Sequence, residues 1–239
     1  MIKLETAVLL ITYKRLDTTK EVFEEIRQAK PPRLYIASNI GNDDQTIQQV
    51  KKVRDFLEKN IDWDCKVYKL YRDHHLSAKY SISGAIDWFF QNEKMGIILE
   101  DDCLPSQSFF WFCEELLKRY MDDMRVWHIS GATIKSEDNF NFSYHFSNYP
   151  GIWGWASWSN RWIHYDVEIK KYQNKNNLKK INKEISINYW AVIRKMITIY
   201  TFLKMVFLTL KKMNSWLRML RLNSVKIYLK ILKMTLVLA

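Results

Sequence analysis

The first half of the chain alternates short apolar runs with stretches in which apolar residues recur every three or four positions. Those two periods in alternation are what strands joined by crossover helices require. Ala7–Tyr13 predicts a first strand. Thr18-x-x-Glu21 reads as a capping box that opens a helix through Ala29, which Pro31-Pro32 closes. Arg33–Asn39 predicts a second strand. Thr46–Lys59 predicts a helix with Ile47, Val50, Val53, Phe56 and Leu57 on one face. Cys65–Tyr71 predicts a third strand, Ser81–Glu93 a helix with Ile82, Ile86, Phe89 and Phe90 inward, and Gly96–Leu99 a fourth strand.

After Pro105-Ser106, an aromatic-rich helix is expected over Phe109–Tyr120 and a strand over Arg125–Ser130, ended by Gly131. Tyr144 and Phe146 alternate within Ser143–Ser147, the period of a short strand. Ile152–Trp162 gathers Trp153, Trp155, Trp158 and Trp162 around Gly151 and Gly154. It reads equally as a mobile loop or a buried element. No internal repeat or flexible linker interrupts the pattern, and the expected fold class is α/β.

The densest chemical signal is Gly96-Ile97-Ile98-Leu99-Glu100-Asp101-Asp102-Cys103, an apolar run that stops at three acids. A buried strand would deliver such carboxylates to its carboxyl end, where open α/β sheets bind ligands. Neighbouring carboxylates repel unless a cation neutralises them. Mg²⁺ or Mn²⁺ suits oxygen ligands and bridges to phosphates. A solvated turn before Pro105 is the plainer alternative, and the apolar run in front favours the ligand reading. Asp102 is then the metal ligand, Asp101 faces a sugar or ribose, and Glu100 supports them. Thr12-Tyr13-Lys14-Arg15, at the expected end of the first strand, offers a hydroxyl and two cations for phosphate or base; for Lys14, surface charge is the stronger alternative. Arg72 is a nucleotide contact at the same edge, whereas His74 and His75, adjacent in an extended segment, point apart and read as loop residues. Trp153, Trp155 and Trp158 are either core or a stacking platform for a sugar. GxSxG, Walker A, HExxH and GxGxxG motifs are all absent.

Charge divides the chain. The net charge is +11, yet residues 1–169 hold 21 Lys and Arg against 25 Asp and Glu, while residues 170–239 hold 16 basic residues and Glu184 alone. From Asn174 onward there is no Gly or Pro, which sets an expected boundary between a 1–173 domain and a basic helical tail over 174–239. The tail reads as a surface-lying amphipathic helix for anionic lipid, as a nucleic-acid arm, which its dense Leu and Ile oppose, or as an out-of-frame translation, the favoured reading. Ile197–Leu210 is too short and too interrupted by Lys204 to span a bilayer, which needs roughly 20 residues. Three cysteines without metal-type spacing and an N-terminus lacking a cleavage pattern point to a reduced, cytoplasmic setting, with peripheral attachment to the membrane through the tail.

LITYKR, LYIAS, IDWDC, RDHHL, IDWFF, GIILEDDCLPSQSFFWFCEELLKRY, HISGA and IWGWASW together resemble a bacterial group of GT-A glycosyltransferases, family-2-like and sometimes labelled hemolytic-protein-like. The order LEDD, FF, ISG, WGW is also similar to that of N-acetylglucosaminyltransferase I. The likeness covers roughly residues 6–170. It implies a GT-A-like mixed sheet, a nucleotide-sugar donor (a UDP-sugar) bound through Mn²⁺ or Mg²⁺ at Asp102, and donor contacts from Thr12, Arg15, Asn39, Arg72 and Asp101. The acceptor would be a glycan or lipid-linked hydroxyl, and nucleic acid is not an expected partner. The family's usual Asp stands here as Asn39, and its Asn-Leu-Gly as His75-Leu76-Ser77. The general base of such enzymes follows the WGW segment. Beyond Trp190 there is no acid, which leaves Asp138, Asp166 and Glu168, with Asp166 the choice.

Overall fold

The computed structural model describes residues 4–132, 143–147 and 151–168. The tail from 174, Asp138, Tyr189-Trp190 and the expected boundary at 173/174 lie outside them. Six strands form one mixed sheet in the order β3-β2-β1-β4-β6-β5. Strands β1 (Ala7–Thr12), β2 (Arg33–Ser38), β3 (Lys66–Tyr71) and β4 (Met95–Glu100) run parallel. Strand β6 (Trp155–Trp158) pairs antiparallel with β4 and with the two-residue β5 (Ile129–Ser130). The α/β expectation holds, and each of the first four strands falls within two residues of its predicted span.

Period two divides the core between the sheet's faces. Val8, Leu10, Leu34, Ile36, Ile97 and Leu99 pack under α1 (Leu16–Ala29), α2 (Asp44–Asn60) and α4 (Gln107–Arg119) through Val22, Phe23, Ile26, Val53, Leu57, Phe110 and Leu117. Leu9, Ile11, Tyr35, Ala37 and Ile98 pack under α3 (Ala78–Asn92) through Ala85, Ile86, Phe89 and Phe90. α5 (Ser159–Trp162) follows β6, and Trp162 packs against the α3 cluster.

Three expectations are corrected. The helix α1 begins at Leu16 rather than at a Thr18 cap, because Leu16 packs on the core and Arg15 becomes the N-cap residue. The expected strand over Arg125–Ser130 shrinks to Ile129–Ser130. Buried Arg161 donates to the carbonyls of Tyr120, Met121, Asp123 and Val126, so that stretch turns around a guanidinium and joins no ladder. Ser143–Ser147 is not a strand either. The Tyr144 hydroxyl, bonded to Tyr120 and Arg119, holds it by its side chain. All three cysteines are free. Among the described residues no helix is long and apolar enough to cross a membrane.

At the amino edge of the sheet, Glu114 of α4 is buried, and its Oε2 accepts from the N–H groups of Glu5 and Thr6 and from the Thr6 hydroxyl at 2.7–2.9 Å. Burial opposes its charge, but these donors and Lys118 more than offset that, so its pKa lies below the ordinary value. A depressed carboxylate stabilises the fold above its unfolded pKa, and that stability is lost as pH falls through the folded pKa. Glu114→Gln is expected to cost about 1–3 kcal/mol in urea unfolding at pH 7, with the gap to wild type closing below roughly pH 4. A gap independent of pH would contradict the assignment.

Candidate functional site

From β1 the chain moves outward through β2 and β3, then returns to β4 on the other flank of β1. Sheets of this kind bind ligands outside the carboxyl ends of the strands where the order reverses. Here that position lies between the exits of β1 and β4, with Tyr13–Arg15 on one side and Asp101–Asp102 on the other.

Asp101 is 3% exposed. Its Oδ2 accepts from the Tyr13 backbone N–H at 3.1 Å, and its Oδ1 takes Nη2 of Arg15. Nη1 of Arg15 reaches Oδ2 of Asp102 at 2.9 Å, so one guanidinium spans both acids. Burial holds the Asp101 carboxyl above its ordinary pKa, with Arg15 and the Tyr13 N–H offsetting only part. Burial also opposes the charge on Arg15, yet the two carboxylates raise its pKa on balance. Asp101 faces the protein's own Tyr13–Arg15 loop, to which both its oxygens are bonded. Asp102 lies nearer the rim, with 16% of its side chain exposed. Cys103 beside it is buried, and burial pushes its thiol up to about 12.

Other expected residues have structural duties. Thr12 is buried and donates its hydroxyl to the Ala37 carbonyl at 3.4 Å, between strands. Both ends of the Asn39 amide are taken by Leu76, Nδ2 donating to its carbonyl at 2.7 Å and Oδ1 accepting from its N–H at 3.2 Å. Asn39 thereby pins the loop that carries His75. His75 itself bonds the Ile40 carbonyl and lies near the Tyr13 ring, and His74 pairs with Asp73, so both are loop residues. The Arg72 guanidinium lies against α3 at Gly84, where an added Cβ would come 2.9 Å from Nη2.

Arg54, which pattern reading passed over as one more exposed cation of α2, is folded inward. It donates to the Ser38 hydroxyl at 3.1 Å and to the carbonyls of Ser38 and Arg72 at 3.0 Å, and its guanidinium lies 4.6 Å from the Tyr71 ring centroid. It ties the carboxyl ends of β2 and β3 together. Nothing in the spacing of Lys51, Lys52 and Arg54 separates it from its neighbours.

The tryptophans do not form a common platform. Trp155 and Trp158 are three apart on β6, so they enter opposite cores, Trp158 donating Nε1–H to the Leu117 carbonyl. Trp153 is 44% exposed and stands before Gly154, whose φ of +65° favours glycine. Ile98 pairs with Trp155, and a Cβ on Gly154 would lie 3.3 Å from Leu99, so Trp153 sits beside the end of β4. His128 holds this loop by donating Nε2–H to the Gly151 carbonyl while stacking on Trp155 at 4.7 Å, and burial lowers its pKa to about 4. Asp166 lies half-buried after α5, whose first residue bonds the Lys94 carbonyl at the sheet's opposite edge.

No protein-family model and no curated protein matches the chain. Among solved structures, the mannosyltransferase PcManGT of Pyrobaculum calidifontis, in complex with GDP-Man and Mn²⁺, is similar over 55% of this chain and 36% of its own, at 13% identity and a TM-score of 0.37. A 4-diphosphocytidyl-2C-methyl-D-erythritol synthase of Anaerococcus prevotii is similar over 76% and 84%, at 11% identity and 0.43. Residues 1–349 of S. aureus TarS are similar over 72% and 52%, at 10% identity and 0.39. This chain thus spans about a third of the mannosyltransferase's length. At these identities and scores, none of the three says what this chain binds.

Replacing Arg54 by Met leaves those strand-end carbonyls without their donor. The expected loss is about 1–3 kcal/mol in urea unfolding, with Arg54→Lys recovering part of it; an unchanged midpoint would remove Arg54 from this role.

Proposed function

We propose that this chain is a GT-A-type glycosyltransferase, moving a sugar from a nucleotide-diphosphate donor, a UDP-sugar, to a hydroxyl of a glycan or lipid-linked acceptor. The observation that carries this reading is the acid pair at the β4 tip, set opposite the cationic exit of β1 at the switch point of the sheet. The family resemblance of its motifs supports it. Among the described residues no three or more His, Cys, Asp or Glu gather into a metal cage. Mg²⁺ and Mn²⁺ in phosphate-bearing sites need only one or two carboxylates, with phosphate and water completing the shell, and Asp102 with its rim carboxylate fits that demand. Such an ion, held by Asp102, would neutralise a departing diphosphate.

The chain's own residues divide the remaining work. Arg15 and Arg72 supply cations to the diphosphate and nucleoside. Asp101 anchors the turn that carries Arg15, and Arg54 holds the backbone at Arg72. Trp153 offers an exposed indole to the acceptor on the far side of the β4 tip. Asp166 is the proposed base. A binding module without turnover is the second reading, favoured by the path of the Asp166 segment, which starts from the opposite sheet edge; release of UDP in the presence of acceptor separates the two.

UDP with Mn²⁺ at a hundredfold excess over Kd is expected to stabilise the protein by about 2.7 kcal/mol, a melting shift of several degrees. In Asp102→Asn the Mn²⁺-dependent part of that shift disappears, and its persistence would sink the assignment. Gly84→Ala tests Arg72 separately. The intruding methyl meets only the tip of a long side chain, so the unfolding midpoint stays close to wild type. UDP affinity drops about tenfold or more, as loss of a charge-assisted contact implies. Undiminished UDP affinity would take Arg72 out of the site.

A further inference from the structure

We propose that Arg15 is the built-in counter-cation of the acid pair, and that it exchanges places with the divalent ion when a nucleotide diphosphate arrives. The inference rests on the proposed role of Asp102 as metal ligand and adds the residue that controls it.

The argument starts from Asp101. Its carboxylate is enclosed, it adjoins a second carboxylate, and both conditions oppose its charge. Arg15 supplies the missing cation, one nitrogen to each acid. The oxygen it takes on Asp102, Oδ2, belongs to the carboxylate nearest the rim. A metal approaching Asp102 alone would bring two positive charges into contact with one another, which is repulsive at any local dielectric.

Arg15 is nonetheless able to leave. Its side chain is 48% exposed, and it is the N-cap residue of α1, outside the helical turns. Beside it lies a cavity of about 470 Å³, lined also by Lys14, Asp17, Thr18, Gln49 and Lys52. A diphosphate offers the guanidinium paired anionic oxygens in the geometry it prefers. Drawing Arg15 toward those oxygens releases Oδ2 of Asp102 to the divalent ion. Asp101 keeps the Tyr13 N–H throughout, so the loop stays anchored. Metal and diphosphate therefore bind with positive coupling, each tightening the other by the same factor.

The test titrates Mn²⁺ into the purified chain, with and without UDP, and reads free Mn²⁺ by electron paramagnetic resonance. Wild type is expected to bind Mn²⁺ alone weakly and at least tenfold tighter with UDP. Arg15→Gln should bind Mn²⁺ alone at least tenfold tighter than wild type, with the UDP enhancement largely gone, and Asp102→Asn should lose the site. Arg15→Lys covers the case in which Arg15→Gln fails to fold. One ammonium cannot span both acids, so Mn²⁺ alone should again bind tighter than to wild type. If the foldable Arg15 variants match wild type for Mn²⁺ alone while Asp102→Asn abolishes binding, Asp102 holds the ion and the exchange is wrong. If no variant binds Mn²⁺ even with UDP, the metal reading of Asp102 falls and takes the exchange with it.

Discussion

An ionised carboxylate inside a protein costs several kcal/mol unless a partner and good hydrogen bonds come with it. Asp101 is such a carboxylate, and the architecture around the crevice follows from meeting its demands. One oxygen requires a backbone N–H, which fixes Tyr13 immediately after β1. The other requires a cation, which fixes Arg15 before α1. The turn between β1 and α1 is therefore shaped from across the sheet, by a residue 86 positions away in sequence. Asp102, which takes the other nitrogen of Arg15, lies nearer the rim.

Arginine recurs as the fastener at both ends of this sheet. Arg54 gathers strand-end carbonyls of β2 and β3 at the carboxyl edge, and Arg161 gathers four carbonyls between α4 and β5. Carbonyls that end a strand or a helix have no ladder partner and lose water when covered. A planar group with five donors satisfies several at once, which an ammonium cannot do as rigidly. Burial pulls the pKa of both arginines below the ordinary value. Enclosure therefore weighs more on them than nearby acids do.

The parallel half of the fold was legible because its signals are periodic and local. Apolar runs of strand length alternate with helical spacing, and the acid tip of β4 shows as an abrupt stop. What stayed hidden depends on tertiary contacts. The Thr18-x-x-Glu21 motif is a valid local start for a helix, but packing of half-buried Leu16 on the core moves the N-cap three residues earlier, to Arg15. Arg54 and Arg161 look in sequence like any solvated cation. Thr12 reads as a ligand contact from its place at the end of β1 and Asn39 from the family resemblance, yet that edge also joins its own loops, and their polar atoms bond Ala37 and Leu76 there. Pattern locates an edge; it does not divide the edge's polar groups between ligand and scaffold.

The tryptophan segment shows how one missing fact misdirects a reading. Without knowing whether Ile152–Trp162 is loop or strand, three indoles within six residues suggest a shared surface. Once Trp155–Trp158 pairs with β4, parity sends Trp155 to one core and Trp158 to the other, and only Trp153 remains outside. The antiparallel direction of β6 then matters more than its composition. A parallel strand would begin at the amino edge and leave its preceding loop far from the acids. Running the other way, β6 begins at the tip of β4, so Gly154 packs on Leu99 and exposed Trp153 stands at the same sheet edge as Asp102. Asp102 and Trp153 are thereby brought to one edge by a single reversal of strand direction.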